Sequence, residues 1–449
     1  MTLLDPLFGD PEADALLDDA RCIASMLAVE LALARAEAKA GIIPARSVEA
    51  IARCVDVADY DLPALAADAG TAGNLAIPLV RQLTERVARI DAEAARYVHW
   101  GATSQDVLDT ALVLQLRDAT AVIVSRLAQA SGAAASLAES YASVVMPGRT
   151  WLQHATPVTF GLKAAGWMAA LDRARERVAD ALAATLVLQL GGASGTLASL
   201  GDRGGDVAAA MAAELGLSVP HIPWHAHRDR LAWLACAFGL STGTIGKIAR
   251  DLSLLGQTEI GEAFEAAGDG RGGSSTMPHK RNPVGASVVL GAALRAPALV
   301  ATMLAALPQE HERGLGGWQA EWETMPELAR VTAGAARHGA EMLAGLEVDT
   351  ERMRENADIT GGVSLAESVS MALAAHVGKS EAHRLIEQAS RLALAEHRSL
   401  ADVLAEIPDV TRHLGPAEIA RCLDPERYLG STTRFLSAAR EEHARSFKR

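Results

Sequence analysis

The sequence predicts an all-α protein dominated by a few long helices, and three observations carry that prediction. Hydrophobic residues fill 50% of the 449 positions but aromatics only 4%, so burial must come from Ala, Leu and Val packed closely, as helix on helix allows. Residues 103–146 hold no proline and one glycine, while Val107, Leu108, Ala111, Leu112, Leu114 and Leu116 recur at helical spacing. Read as one helix, about 43 residues make a rod of about 65 Å. Four further stretches, 158–190, 227–267, 284–307 and 309–348, repeat the pattern, the last two with one proline each, Pro297 and Pro326. Five such segments predict an extended bundle, kinked at the prolines.

Around this centre the elements are shorter. Residues 18–40 carry a Leu27, Leu31, Ala34 stripe that stops at Gly41 and Pro44, and 47–57 and 74–90 follow it. They predict an N-terminal helical domain over 1–102, ahead of the long-helix domain over 103–354. Beyond that, 364–376, 380–396 and 416–422 are helical stretches broken by Gly361, Gly362, Pro408 and Gly415, which predicts a C-terminal domain over 355–449. Gly239, Gly243 and Gly246 sit inside the third long segment, where glycine is costly unless a neighbouring backbone comes close. A long bundle with Ala and Gly faces seldom finds enough partners in one chain, so identical subunits are expected to complete it.

Charge and cysteines bound the function. The formal net charge is -13, from 42 Lys and Arg against 55 Asp and Glu, without a long basic run. Nucleic acid is therefore an unexpected partner, and an anionic substrate must be met by cations gathered locally. Cys22, Cys54, Cys236 and Cys422 form no CxxC pair, which fits reduced thiols in the cytoplasm rather than a disulfide frame or a zinc site. The N-terminus MTLLDPLFGDPEAD lacks the basic start of a signal peptide, and the uncharged apolar run 296–308 is too short to span a bilayer. A soluble protein with no membrane partner is expected.

Three polar islands interrupt the alanine background. In HWGATSQDVLD, 99–109, Thr103, Ser104 and Asp106 stand at the predicted start of the longest helix. Capping is their default role, although a helix N-terminus also draws anions, so the hydroxyls could hold a substrate carboxylate. In MPGRTWLQHATP, 146–157, turn chemistry accounts for the prolines and the glycine but not for Arg149, Gln153 and His154 together. A histidine in such a place is a candidate acid or base if it lines a pocket. In GRGGSSTMPHKRNPVG, 270–285, three glycines around Arg271 give freedom, Ser274 and Ser275 offer hydroxyls, and Pro278 and Pro283 bracket Lys280. A plain linker does not need that cationic bracket, and a P-loop is excluded because no G-K-[ST] follows the glycines. The set suits a reaction that makes a carbanion beside a carboxylate, whose charge calls for N–H donors and a cation, under a loop that closes to exclude water.

At these islands the sequence resembles the fumarase/aspartase/argininosuccinate lyase superfamily. The signature loop GSSxMPxKxNP stands here as Gly273 to Pro283, and HxGxTSxD and GRTxxQxAxP keep the family's order. The resemblance spans essentially the whole chain. It implies a three-domain, all-helical subunit in a homotetramer around a twenty-helix bundle, each active site collecting its islands from three subunits. Residue by residue, it implies that Ser274 transfers the proton at the carbon next to a carboxylate and that Lys280, Asn282 and Met277 lie at substrate. Thr103 and Ser104 take the places of the carboxylate-binding hydroxyls, and no metal or organic cofactor is implied.

The same resemblance separates branches. Adenylosuccinate lyases, or other fumarate-releasing lyases, are the alternative, because their loop is close to SSTMPHKRNP. They carry a histidine in GRTHxQ and another in an HDV segment; here those regions read Trp151 and AGNLAIP, 72–78. Trp151, PWHAHRDR at 223–230, GGWQAEWETMPEL at 316–328 and DPERYLGS at 424–431 resemble the bacterial cycloisomerase branch instead. That branch implies closure of a tricarboxylate to a lactone, with Trp151, Gln153, Arg149 and Arg313 at substrate and His154 in partial support of catalysis. Arg228 and Arg230 are further candidate cations for three carboxylates, each equally able to serve as an ion pair.

Overall fold

The computed structural model describes residues 3–266, 277 and 280–448. Ser274, the expected proton donor, lies outside the described residues, as do Gly273, Pro278 and His279 of the signature loop. The described chain is helical throughout, relieved only by two small antiparallel sheets.

Five long helices form its middle: Ser104–Ser140, Phe160–Thr185, Asp229–Leu255, Val284–Ala305 and Gly317–Ala344. Each falls inside its predicted segment, and the first, at 37 residues, is a rod of about 55 Å. Pro297 and Pro326 both lie within helices, as expected from their stretches. The third helix ends at Leu255, short of the expected 267, and a two-residue strand, Ala263–Phe264, follows and pairs with Glu347–Val348.

Two compact units make up the chain, and the division falls within each of the five long helices. One comprises Met1–Leu127, Ala174–Gly246 and Val288–His338; the other comprises Ala128–Arg173, Lys247–Ser287 and Gly339–Arg449. In the first, helix Asp19–Lys39 is started by the Asp18 carboxylate accepting the Arg21 N–H, and it packs on Ala45–Ala52 and Gly204–Leu215, with Met26, Leu27, Leu33 and Ile51 buried. The glycines of the third long helix behave as predicted at two positions. A Cβ on Gly239 would stand 2.6 Å from Val300 Cγ2, and one on Gly246 would stand 2.7 Å from Ala293 Cβ, whereas Gly243 faces nothing within 4 Å. Close contact with the fourth long helix explains the outer pair only.

The second unit holds a small core of its own, Val369, Leu373, Leu385, Ile386, Leu400, Val403, Leu404 and Ile419, drawn from the short C-terminal helices. It also contains a β-hairpin that sequence reasoning renders as a connection: β1, Val145–Thr150, and β2, Gln153–Thr159. Two prolines argue against strands here. They are tolerated because Pro147 and Pro157 face each other in the register, so both missing donors fall on one rung.

By length and composition alone, helices Asp229–Leu255 and Val284–Ala305 could each cross a membrane, a reach that the run 296–308 by itself does not show. Of the apolar window in the first, 61% is buried within the chain, but only 28% of that in the second.

Candidate active site

The first unit builds a polar cradle at the start of helix Ser104–Ser140. Asp106, buried, accepts the Thr103 N–H at 3.0 Å and the Gly191 and Gly192 N–H groups at 2.9 Å each, and its Oδ1 lies 2.7 Å from His225 Nε2. Its carboxylate is thus spent on fixing backbone, so it caps and does not bind ligand. Gly191 is required by this closeness, since a Cβ there would meet His225 Cε1 at 2.7 Å. What remains open are the partly exposed Thr103 and Ser104. Arg313 joins them: its guanidinium donates to Thr103 Oγ1 at 2.9 Å and to Gln105 Oε1 at 3.3 Å. Both acceptors are neutral, and no carboxylate pairs with Arg313 among the described residues. A helix N-terminus, two hydroxyls and an uncompensated guanidinium together favour a carboxylate.

Arg228 turns out differently from a substrate cation. It is buried, donating to Asp109 at 2.6 and 2.9 Å and to Glu321 at 2.6 to 3.1 Å, with the Trp224 ring 4.8 Å from its carbon. Trp318 Nε1 and Gln105 Nε2 also donate to Asp109, at 3.0 and 3.2 Å. Two carboxylates share one guanidinium, and burial pushes the Glu321 acid up against the opposing pull of Arg228. The guanidinium has no direction left for substrate. A cavity of about 510 Å³ opens beside it, lined by Asp18, Asp109, Gln115, Glu321, Trp322 and Arg330, and neither Thr103, Ser104 nor Arg313 reaches it.

Behind the cradle lies His99, at φ 57° and 2.7 Å from the buried Glu30 carboxylate. Burial alone would depress the imidazole, but the Glu30 charge and hydrogen bond outweigh it and raise its pKa. Glu37 is also buried near Glu30, and burial, then the Glu30 charge, push its acid up to about 8.

The second unit places the other islands. At the hairpin tip Thr150 pairs with Gln153, leaving a two-residue turn in which Trp151 and Leu152 both adopt left-handed backbone, φ 52° and 64°. Asn-Gly is the usual occupant of such a turn. Side chains with a Cβ cost roughly 1–2 kcal/mol per residue in that region. The tip is nevertheless held out: Trp151 is 95% and Leu152 79% exposed. Below it Arg149 makes a two-pronged pair with the buried Glu262, at 2.8 and 2.6 Å, and Asn356 Nδ2 donates to the same carboxylate at 2.8 Å. Arg149 therefore anchors the hairpin. His154 is half-buried, and burial, then the Arg149 charge, hold its imidazole below the ordinary histidine range. Gln153 is exposed.

Of the signature loop, Met277 and the four residues from Lys280 to Pro283 are described. The Lys280 N–H donates to the Met277 carbonyl at 3.0 Å, and the Lys280 side chain is exposed. Arg281, the other cation of the pair, is structural: it lies 2.9 Å from Glu347, donates to the Glu265 carbonyl at 2.6 Å and covers Phe264 at 4.9 Å. The Glu265 carboxylate accepts the Gly285 and Ala286 N–H groups at 2.9 and 2.7 Å, which caps helix Val284–Ala305. Lys280 and Asn282 thus stand on a fixed base. Glu262, Glu265 and Glu347, which build that base and the hairpin's, carry no motif that sequence reasoning could have used.

Comparison with known proteins identifies the family. Residues 10–297 match the family described as lyase, and residues 362–438 match the adenylosuccinate lyase C-terminus. A 3-carboxy-cis,cis-muconate cycloisomerase of Pseudomonas aeruginosa is 52% identical over 98% of this chain and 96% of its own length. The protein of that name from Bradyrhizobium diazoefficiens is 52% identical over 96% and 95%. The crystal structure of the 3-carboxy-cis,cis-muconate lactonizing enzyme of Pseudomonas putida superimposes with a TM-score of 0.95 at 48% identity, covering 99% of both chains. On its motifs, its fold and these full-length similarities, the chain belongs to the lyase family.

Proposed function

We propose that this chain closes 3-carboxy-cis,cis-muconate to 4-carboxymuconolactone, a step of protocatechuate breakdown in the β-ketoadipate pathway. One observation carries the reading: relatives bearing the cycloisomerase name are about half identical from end to end, with nearly equal lengths. Trp151 agrees with it, because it stands where a fumarate-releasing adenylosuccinate lyase carries a histidine acid.

The chemistry follows from charge. One substrate carboxylate adds to its own double bond, a C–O bond forms, and the π electrons move onto the carbon beside another carboxylate. That carbon takes a proton from Ser274, while Lys280, Asn282 and loop N–H groups hold the enolate-like charge. In reverse the leaving group is a carboxylate, already acidic, so it needs no strong general acid, and Trp151 is tolerable where other members need a histidine. His154, held neutral, supports the transfer from the hairpin. Thr103, Ser104 and Arg313 take a second carboxylate, with Gln153 and Met277 at the substrate's edges and Arg149 fixing the hairpin that carries Trp151. One proton moves and no net electrons do, so neither a redox cofactor nor a metal enters the proposal.

The reading includes a cytoplasmic homotetramer whose three islands meet from different subunits, with segments 1–102, 103–354 and 355–449 as its domains. The fourth long helix supports it: Leu294 is 82% exposed on a strongly apolar surface, as expected of a face that a second copy covers. Purified protein tests the function. Ultraviolet absorbance of 3-carboxymuconate should fall without fumarate appearing, and release of fumarate from adenylosuccinate would overturn the reading.

A further inference from the structure

The second unit contains a cation that the mechanism above does not use. Strand β2 runs straight into helix Phe160–Thr185, whose start is fixed by the Leu162 N–H donating to Thr159 Oγ1 at 3.1 Å. One turn in stands Lys163, half-buried. Its electrostatic neighbours are Asp251, Lys247, Arg149 and Glu262. Both carboxylates already have a cationic partner. Asp251 accepts the Trp167 indole N–H at 2.8 Å and pairs with Lys247, while Glu262 is filled by Arg149 and Asn356. Among the described residues Lys163 makes no ion pair or side-chain hydrogen bond. Burial is the main influence pushing its ammonium below the ordinary lysine range; the Asp251 charge opposes it, Lys247 and Arg149 push the same way as burial, and Glu262 adds a weaker opposing pull.

A half-buried, unpaired ammonium is costly to keep. A carboxylate brought to it recovers part of that cost through a charge-assisted hydrogen bond. Arg149 and Arg281, the nearest guanidinium groups of the hairpin and the loop, are both neutralised by glutamates. Among the described residues of the hairpin and the loop, a trianionic substrate is therefore left with Lys280 as its cation. We propose that Lys163 binds one carboxylate of the tricarboxylate substrate, as a specificity-determining residue beside the Arg149–His154 hairpin. The inference rests on the function proposed above for its choice of anion.

The test uses the full-chain oligomer and the variants Lys163→Met and Lys163→Arg, read by steady-state kinetics and by calorimetric binding of propane-1,2,3-tricarboxylate. Lys163→Met should raise KM, and the Kd of the inert tricarboxylate, at least tenfold while kcat moves less than threefold; Lys163→Arg should stay within threefold of the parent. KM and Kd within twofold of the parent in Lys163→Met would overturn the inference, as would a parent protein that binds no tricarboxylate. If Lys163→Met does not fold, Lys163→Gln is judged by the same thresholds. A parent that binds the tricarboxylate but does not turn over 3-carboxymuconate sinks the proposed function alone, and the difference in Kd between parent and variant still decides Lys163.

Discussion

The cradle at Thr103 and the hairpin at Trp151 spend their side chains in opposite ways. In the cradle nearly every polar group is committed inward: Asp106 to three N–H groups and His225, Asp109 to Arg228 and Trp318, leaving only Thr103, Ser104 and Arg313 facing out. At the hairpin the commitment stops at Arg149 and Glu262, and beyond it a strained turn holds Trp151 and Leu152 almost wholly in the open. An inwardly committed region and a presented one differ in what they need. The first has its buried charges compensated within the chain, whereas the second bears backbone strain and exposed apolar surface.

The largest effect belongs to the signature loop. Ser274→Ala should lower kcat by about 10²- to 10⁴-fold, the range of a lost proton-transfer group, with the melting temperature unchanged; a variant with full turnover removes Ser274 from the mechanism. Next is the anchor of the cradle. Arg228→Met leaves Asp109 and Glu321 buried without their cation and should cost about 3–5 kcal/mol of stability, read by denaturant unfolding. If Arg228 instead bound substrate, the loss would appear in KM with stability intact.

How far these regions are legible in the sequence differs for the same reason. The islands stand out because polar residues are rare in an alanine background, and the five long helices because period and proline spacing agree over dozens of residues. The Arg228 network does not, since its partners are 119 and 93 residues away along the chain. Arg228 and Arg313 look alike as sequence, and only burial separates the anchored cation from the open one. The hairpin is hidden by its prolines, and helix Thr432–Ser446 by a polar composition with few buried residues.

Arg313→Ala sharpens the comparison from the open side. It should raise KM by about 10- to 100-fold, matching the roughly 1.5–3 kcal/mol of a charged hydrogen bond, and change unfolding little, the reverse of Arg228→Met. The smallest effect is one of pH. Glu37 ionises near 4.5 when unfolded and is pushed up to about 8 in the fold. Between those values the folded state therefore holds the extra proton, so stability falls as pH rises through this window and levels off above it. Glu37→Gln should flatten that slope, and its advantage in melting temperature over the parent should grow from pH 5 to pH 8. An unchanged slope would place the proton elsewhere.

The central claim is that a carboxylate adds to a double bond and a solvent-exchangeable proton lands on the carbon beside another carboxylate. Turning over 3-carboxy-cis,cis-muconate in D₂O and taking the mass and NMR spectrum of the product tests it directly. The account predicts 4-carboxymuconolactone with one deuteron at the carbon next to a carboxylate and no fumarate; unreacted substrate, or a lactone without deuterium at that carbon, would contradict it.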